Sequence, residues 1–132
     1  MKYFTFARSL YVATLIAAAG ATAGAADDLK MSNKWRIEVS ESAKSDGVIL
    51  LRVTPDGGTA IDIPVSVPAG HGENQVARDI QDSLGAALDR KTYEVEMDDG
   101  EDVLVKRKGG ATFNLKLIDT NVRSVRINVD KE

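Results

Sequence analysis

The 132-residue sequence predicts an α+β domain in which one amphipathic helix packs on a mostly antiparallel sheet of about seven strands. Seven segments alternate apolar and polar residues with a period of two, as strands with one buried face do. One segment repeats its apolar residues every three or four positions, which is typical of a helix with one apolar face. The short connections favour antiparallel pairing in the order β-β-β-α-β-β-β-β.

Three of the predicted strands precede the helix. In the first, KWRIEVS, Trp35, Ile37 and Val39 share one face. The second, VILLRVT, is apolar in both phases, which predicts a strand buried on both faces. The third, TAIDIPVSVP, contains Pro64 and Pro68. Because proline has no N–H to donate, this strand is predicted to lie at an edge or to break at its prolines.

The helical segment, GENQVARDIQDSLGAALDRK, carries a single apolar stripe. This stripe consists of Val76, Ala77, Ile80, Leu84, Ala87 and Leu88. Asn74 is the predicted N-cap, since its side-chain oxygen can accept a hydrogen bond from a free N–H of the first turn. Gly85 costs the helix about 1 kcal/mol relative to alanine, and we expect it to mark a close approach between the helix and the sheet.

Four strands follow the helix, and the first two are predicted to form a hairpin. Their apolar residues are Tyr93, Val95, Met97, Val103 and Val105. A three-residue loop puts all of them on one face of the hairpin, whereas a two-residue turn does not. We therefore predict a type I turn over residues 98–100, closed by Gly100 in the left-handed conformation. In the last two strands the apolar phase consists of Phe113, Leu115, Leu117, Val125, Ile127 and Val129.

The N-terminus has the pattern of a bacterial export signal. Lys2 and Arg8 accompany an apolar run from Leu10 to Ala19, and small residues suited to signal peptidase follow over positions 23–25. The run is shorter than the roughly 20 residues of a membrane-spanning helix, and a retained N-terminal anchor is the alternative. We predict a cleavable signal peptide over residues 1–25, a flexible leader over 26–33 and a single domain over 34–132, in the periplasm or secreted.

Composition excludes several classes of function. The chain has no cysteine, so a thiol nucleophile, a cysteine-ligated zinc ion and a lipoprotein anchor are excluded. Signal cleavage removes two of the 17 basic residues and none of the 20 acidic ones, so the formal charge changes from −3 to −5. An acidic surface disfavours non-specific binding to nucleic acid or anionic membrane. No membrane span is expected after cleavage.

Residues 93–110, YEVEMDDGEDVLVKRKGG, place acidic residues around one glycine and then turn basic. The favoured interpretation is a solvated hairpin turn, because aspartate and glycine are good turn formers. The alternative is a surface calcium site made by Asp98, Asp99, Glu101 and Asp102. This stretch lacks the spacing of an EF-hand loop, so we predict no bound metal or other cofactor.

Two further features are candidate sites, the lone histidine and a short basic run. His71 is the only histidine and lies between two glycines ahead of the helix. No serine-nucleophile motif or second histidine accompanies it, so we predict a polar loop residue and no catalytic residues. The basic run Lys106, Arg107 and Lys108 is a candidate contact for an acidic polymer or partner. A solvated strand end, whose charges discourage edge pairing, is the favoured alternative.

The segment from Gly72 to Leu117 resembles a helix-and-hairpin unit found in phage tail proteins and in bacterial exported or surface proteins. The resemblance lies in the helix VARDIQDSL, the Tyr93-x-Val95 strand, the turn glycine Gly100 and the two strands that follow. It implies a packing or assembly module and supplies no catalytic residues. The export signal sets this chain apart from a virion protein.

The sequence therefore predicts a small exported, non-catalytic interaction or structural module of the bacterial envelope or exterior. Its partner is predicted to be a protein or another envelope component. An exported inhibitor or small-ligand-binding protein is the alternative, and a hydrolase with an unrecognised site is a third hypothesis. A buried pair of carboxylates in a cleft would favour the hydrolase, and a pocket with converging polar groups would favour the ligand binder.

Overall fold

A computed structural model describes residues 29–132 and confirms the predicted α+β order. One helix, α1, spans Glu73–Ala87. The strands are β1 Lys34–Ser40, β2 Gly47–Pro55, β3 Ile61–Val67, β4 Tyr93–Asp98, β5 Asp102–Arg107, β6 Phe113–Thr120 and β7 Arg126–Lys131. A short 3-10 turn, Lys108–Gly110, follows β5. The predicted signal peptide, residues 1–25, lies outside the described residues.

The strands form two antiparallel sheets, a division that the alternation of residues did not reveal. The larger sheet has the order β4-β5-β1-β7, and the smaller has the order β3-β2-β6. Only the β2–β3 and β4–β5 pairs join strands that are consecutive in the chain. The chain therefore crosses between the sheets four times, and most of the pairing depends on contacts that are distant in sequence.

The inner faces of both sheets and the apolar stripe of α1 enclose one hydrophobic core. The helix packs on β3 and β4, one edge strand from each sheet, and on β1 and β5. The predicted burial of the three strand aromatics is confirmed, since Trp35, Tyr93 and Phe113 are all buried. Trp35 Nε1 donates a hydrogen bond of 2.8 Å to the Phe113 carbonyl, which ties β1 of the larger sheet to β6 of the smaller one.

The smaller sheet buries only one of its faces. Ile49, Leu51 and Val53 of β2 are fully buried, whereas Val48 on the opposite face is 40% exposed. The prediction that β2 is buried on both faces is therefore wrong, because the helix and the larger sheet cover the inner face alone. The predicted edge position of β3 is confirmed, and Pro64 lies in it opposite Leu50.

Two details of the helix differ from the sequence prediction. The N-cap is Gly72, whose N–H donates to Gln75 Oε1 at 3.4 Å, so Asn74 already lies inside the first turn. A Cβ atom added to Gly100 would lie 3.5 Å from Asn74 Nδ2, which places this side chain beside the hairpin tip. A Cβ added to Gly85 would meet nothing within 4 Å. The predicted close approach at Gly85 is therefore wrong, and this glycine borders a groove.

The hairpin loop has the predicted three residues but lies one residue later, over Asp99, Gly100 and Glu101. Asp98 pairs with Asp102, and Met97 lies opposite Val103. The predicted register would have placed Met97 opposite Glu101, whereas the observed one pairs Met97 with Val103 and Val95 with Val105 and leaves Tyr93 opposite Arg107. Gly100 has a φ of 81°, which confirms its predicted left-handed conformation, but Asp99 also has a positive φ of 54°, so the prediction of a type I turn is wrong.

Part of the predicted leader pairs with the domain. The Ser32 N–H donates to the Phe113 carbonyl at 3.0 Å, and the Phe113 N–H donates back to Ser32 at 2.9 Å. The Arg107 N–H donates to the Asn33 carbonyl at 2.9 Å. Regular pairing therefore begins before Lys34. Within residues 29–132, no helix has the length and apolar character needed to cross a bilayer.

Candidate functional site

The outer face of the four-stranded sheet carries three of the charged candidate residues, Asp98, Asp102 and Lys106. Alternation in β1, β4, β5 and β7 turns apolar residues to the core and polar ones outward. The outward residues are Lys34, Arg36, Glu38, Glu94, Glu96, Asp98, Asp102, Leu104, Lys106, Arg126, Asn128 and Asp130. We call this surface the outer face; it is broad and predominantly acidic.

Arg36 lies at the centre of the outer face and binds acids from three other segments. Its Nη1 donates to Asp98 Oδ2 at 2.9 Å and to Asp102 Oδ2 at 2.7 Å. Its Nε and Nη2 donate to the two carboxylate oxygens of Glu132 at 3.1 and 2.9 Å. These hydrogen bonds, to Glu132 first and then to Asp98 and Asp102, raise the pKa of the Arg36 guanidinium. The forked contact with Glu132 uses the planar geometry that only arginine offers.

The structure brings together three of the four residues in the alternative calcium site. One carboxylate oxygen from each of Asp98, Asp99 and Asp102 lies within 4.8 Å of the other two, whereas Glu101 does not belong to this group. A calcium ion takes six to eight oxygen ligands. Two of the three carboxylates already bind the Arg36 guanidinium, so a protein cation neutralises the acids that a metal ion would need.

Leu104 is an apolar residue on this charged surface, yet it is only 8% exposed. Its neighbours across the ladder are Arg36 on β1 and Glu96 on β4. Long charged side chains can lay their aliphatic stems over such a residue while their charged ends stay in water. The centre of the outer face is therefore a packed layer, and the charged groups around Arg36 and Lys106 have fixed partners.

The basic run does not form a joint positive surface. Lys106 Nζ lies 3.2 Å from Glu96 and 3.7 Å from Glu94 on the outer face, and these acids, Glu96 first, raise the pKa of Lys106. The Arg107 guanidinium stacks 5.8 Å from the centre of the Tyr93 ring. Lys108 Nζ donates instead to a backbone carbonyl, that of Arg90, at 2.9 Å. The three side chains point to different parts of the domain, and each has a partner within it.

His71 has a carboxylate partner that the sequence analysis did not identify. Its Nδ1 lies 2.8 Å from Oδ2 of Asp79, which is in the second turn of α1. The backbone around it is also fixed, since the Ala43 N–H donates to the His71 carbonyl at 2.8 Å. These contacts hold the loop before the helix in place. Within residues 29–132 no side chain of Asp, Glu, His, Lys or Arg is buried. The His71–Asp79 pair is therefore itself partly exposed, and no buried charged side chain lies beside it.

A groove of about 530 Å³ runs between the C-terminal half of α1 and strand β4. Gly85 leaves it open on the helix side, and Tyr93 lines it on the sheet side, with Arg90 and Glu94 among the charged residues at its rim. The Tyr93 hydroxyl is buried and has no hydrogen-bond partner within the described residues. Burial raises the pKa of the Tyr93 phenol.

Comparison with known proteins finds no similar protein: no family model matches the chain, and neither does any curated protein or solved structure. The likeness of residues 72–117 to phage tail and exported proteins stays a prediction.

The sequence analysis identified the acids of the hairpin but missed the residue that organises them. Arg36 reaches partners that are 62, 66 and 96 residues away in sequence. The one available signal was its position in the polar phase of β1. Without knowledge of which strands lie beside β1, this position does not indicate which acids lie next to Arg36.

Proposed function

We propose that this protein is a small exported, non-catalytic interaction domain of the bacterial envelope or exterior. The observation that supports the proposal is the placement of charge: within residues 29–132 every ionisable Asp, Glu, His, Lys and Arg side chain lies at the surface or partly exposed. General acid–base chemistry at neutral pH needs a pKa tuned by burial or by an unbalanced neighbour. Several of the charged groups of this domain form ion pairs at the surface instead.

The outer face is the contact surface that we assign to this function. It is formed by four paired strands and is therefore rigid, and its excess of carboxylates suits a partner with a basic surface. Arg36 and Lys106 fix many of these carboxylates in ion pairs. A preorganised charged surface loses less side-chain freedom on binding than a mobile one does.

The test is cross-linking and affinity capture from an envelope extract with the tagged protein, expressed from its full sequence. A double variant, Glu38→Lys with Glu94→Lys, reverses two exposed charges of the outer face. A matched control, Asp56→Lys, reverses an exposed charge on the turn after β2. We expect the wild type and the control to capture the same macromolecule and the double variant to lose it. Capture of no macromolecule, together with saturable binding of a small molecule, would overturn the proposal.

The groove between α1 and β4 favours a second candidate, an exported inhibitor or small-ligand-binding protein. Its volume of about 530 Å³ falls within the range of known ligand sites. Gly85→Leu would place a side chain in the open space of the groove. If the groove holds a ligand, a compound that raises the melting temperature of the wild type will not raise that of this variant. An equal response of both proteins would exclude the groove as the binding site.

A further inference from the structure

The four edge strands of the two sheets differ in how they are protected against pairing with another chain. Edge strands expose unpaired backbone groups, and proteins usually cover or interrupt them. The helix packs on β3 and β4, and β3 also contains Pro64. Strand β6 carries a bulge where its register with β2 shifts between Leu50 and Leu51. Strand β7 contains no proline, its ladder with β1 has no shift in register, and β1 is its only backbone partner among the described residues.

The phase of the β1–β7 ladder determines which groups of β7 are free. The Glu132 N–H donates to the Lys34 carbonyl at 3.0 Å, and these two residues lie opposite each other in the register of the pair. Hydrogen-bonded and non-hydrogen-bonded pairs alternate along an antiparallel ladder. The N–H and C=O groups of Ile127 and Val129 therefore point away from β1, towards the open edge.

The sequence of β7 is complementary to itself when it is reversed. Residues 126–130 read Arg, Ile, Asn, Val, Asp, so an antiparallel copy centred on Asn128 places Arg126 opposite Asp130 and Ile127 opposite Val129. This register also aligns the free backbone groups of Ile127 with those of Val129 in the second copy. A register shifted by two residues in one direction would place Ile127 opposite Ile127 of the second copy, and a shift in the other direction would place it opposite Lys131. In neither register would Arg126 lie opposite Asp130.

The side chains of β7 support the same arrangement. Arg126 and Asp130 are exposed, and neither forms an ion pair within the described residues. Ile127 and Val129 pack against the core but stay partly exposed at its margin. Opposite charges that face each other across a non-hydrogen-bonded pair come close together and stabilise the pairing.

We infer that the open edge of β7 pairs with β7 of a second copy of this chain, in the register centred on Asn128. The two four-stranded sheets then join into one antiparallel sheet of eight strands, and their outer faces become continuous. Two ion pairs between Arg126 and Asp130 and two contacts between Ile127 and Val129 form across the two-fold axis. A contact along one short strand is small, so the dimer is expected to be weak and to dissociate on dilution. This inference goes beyond the proposed function, because it depends neither on export nor on the partner of the outer face.

The test is sedimentation of the purified, untagged protein over a range of concentrations up to about 1 mM. The wild type is compared with two single variants and with an equimolar mixture of those two variants. Arg126→Glu places two acids opposite each other, and Asp130→Arg places two arginines opposite each other. Each variant alone is expected to raise the dimer dissociation constant about tenfold or more. An equimolar mixture of the two restores both opposite-charge pairs in a mixed dimer, so it is expected to dimerise as the wild type does. Thermal melting of each variant checks that it folds.

Amide hydrogen exchange gives a second measurement that needs no variant. The amides of Ile127 and Val129 are expected to become protected as the concentration of the wild type rises, while the amide of Asn128, bonded to β1, stays protected throughout. A wild type that is monomeric at about 1 mM would overturn the inference. A dimer that the single variants do not weaken, or that their mixture does not restore, would also overturn it, since another surface would then be responsible.

Discussion

The substitution Gly47→Ala tests the close packing between the start of β2 and the segment before β7. A Cβ atom at residue 47 would lie 2.5 Å from Asn121 Oδ1, 2.8 Å from Val122 Cγ2 and 3.0 Å from the Val122 backbone nitrogen. The Asn121 amide can rotate away, but its Oδ1 then loses the 2.7 Å hydrogen bond from the Val48 N–H. The contact with the Val122 backbone cannot be relieved by a change of rotamer.

The expected destabilisation follows from these two effects. Overpacking at a site that cannot relax costs about 1 to 3 kcal/mol, and loss of a single hydrogen bond costs about 0.5 to 1.5 kcal/mol. Gly47→Ala is therefore expected to lower the free energy of unfolding by about 2 to 4 kcal/mol. For a domain of this size, such a loss lowers the melting temperature by about 10 °C or more.

Urea denaturation followed by circular dichroism measures this change, with Gly85→Ala as the matched control. Alanine at position 85 meets no atom within 4 Å, and removal of a helical glycine is expected to stabilise the protein by about 0.5 to 1 kcal/mol. The two variants should therefore move in opposite directions. A Gly47→Ala protein within about 0.5 kcal/mol of the wild type would refute the packing argument.

Three further predictions concern the hairpin and the buried phenol. Arg36→Gln is expected to lower the melting temperature. Millimolar calcium should then raise the melting temperature of this variant by several degrees, because the nearby carboxylates no longer have a protein cation. Calcium should leave the melting temperature of the wild type unchanged. Tyr93→Phe removes a buried hydroxyl without a partner and is expected to stabilise the protein by about 1 kcal/mol. Because burial raises the pKa of Tyr93 in the fold, this phenol ionises more readily in the unfolded chain, so the wild type should lose stability as the pH rises above about 10 while Tyr93→Phe should not. Gly100→Val forces valine into a left-handed conformation and is expected to cost about 1 to 3 kcal/mol.

Each of these predictions has a measurement that can contradict it. For the calcium experiment, Lys116→Gln removes an exposed cation from the other sheet and should stay insensitive to calcium. A wild type that calcium stabilises by several degrees would show that the metal displaces the arginine. A less stable Tyr93→Phe protein would mean that the hydroxyl has a partner in solution, and unchanged melting of Gly100→Val would contradict the left-handed conformation at the loop.

The sequence by itself determined which residues face the core in most elements, the exceptions being β2, whose two phases are both apolar, and Ala87 at the end of the helix. The period of two in β1 and the period of three to four in α1 are local properties of the backbone, because side chains alternate along a strand and recur along a helix. Trp35, Phe113 and Ile80 could therefore be assigned to the interior without knowledge of any partner strand. The length of the hairpin loop followed from the same alternation, since only one parity keeps the apolar residues on one face.

Only the tertiary structure decided which strands are neighbours and which charges meet. A shift of the hairpin by two residues preserves every face, so local alternation could not distinguish the predicted loop from the observed one over residues 99–101. The position of β1 between β5 and β7 likewise brings Arg36 to Asp98, Asp102 and Glu132, although these residues are far apart in the chain. Alternation determines the orientation of a side chain relative to its own strand, whereas an ion pair depends on the distance between strands, and long-range packing alone sets that distance.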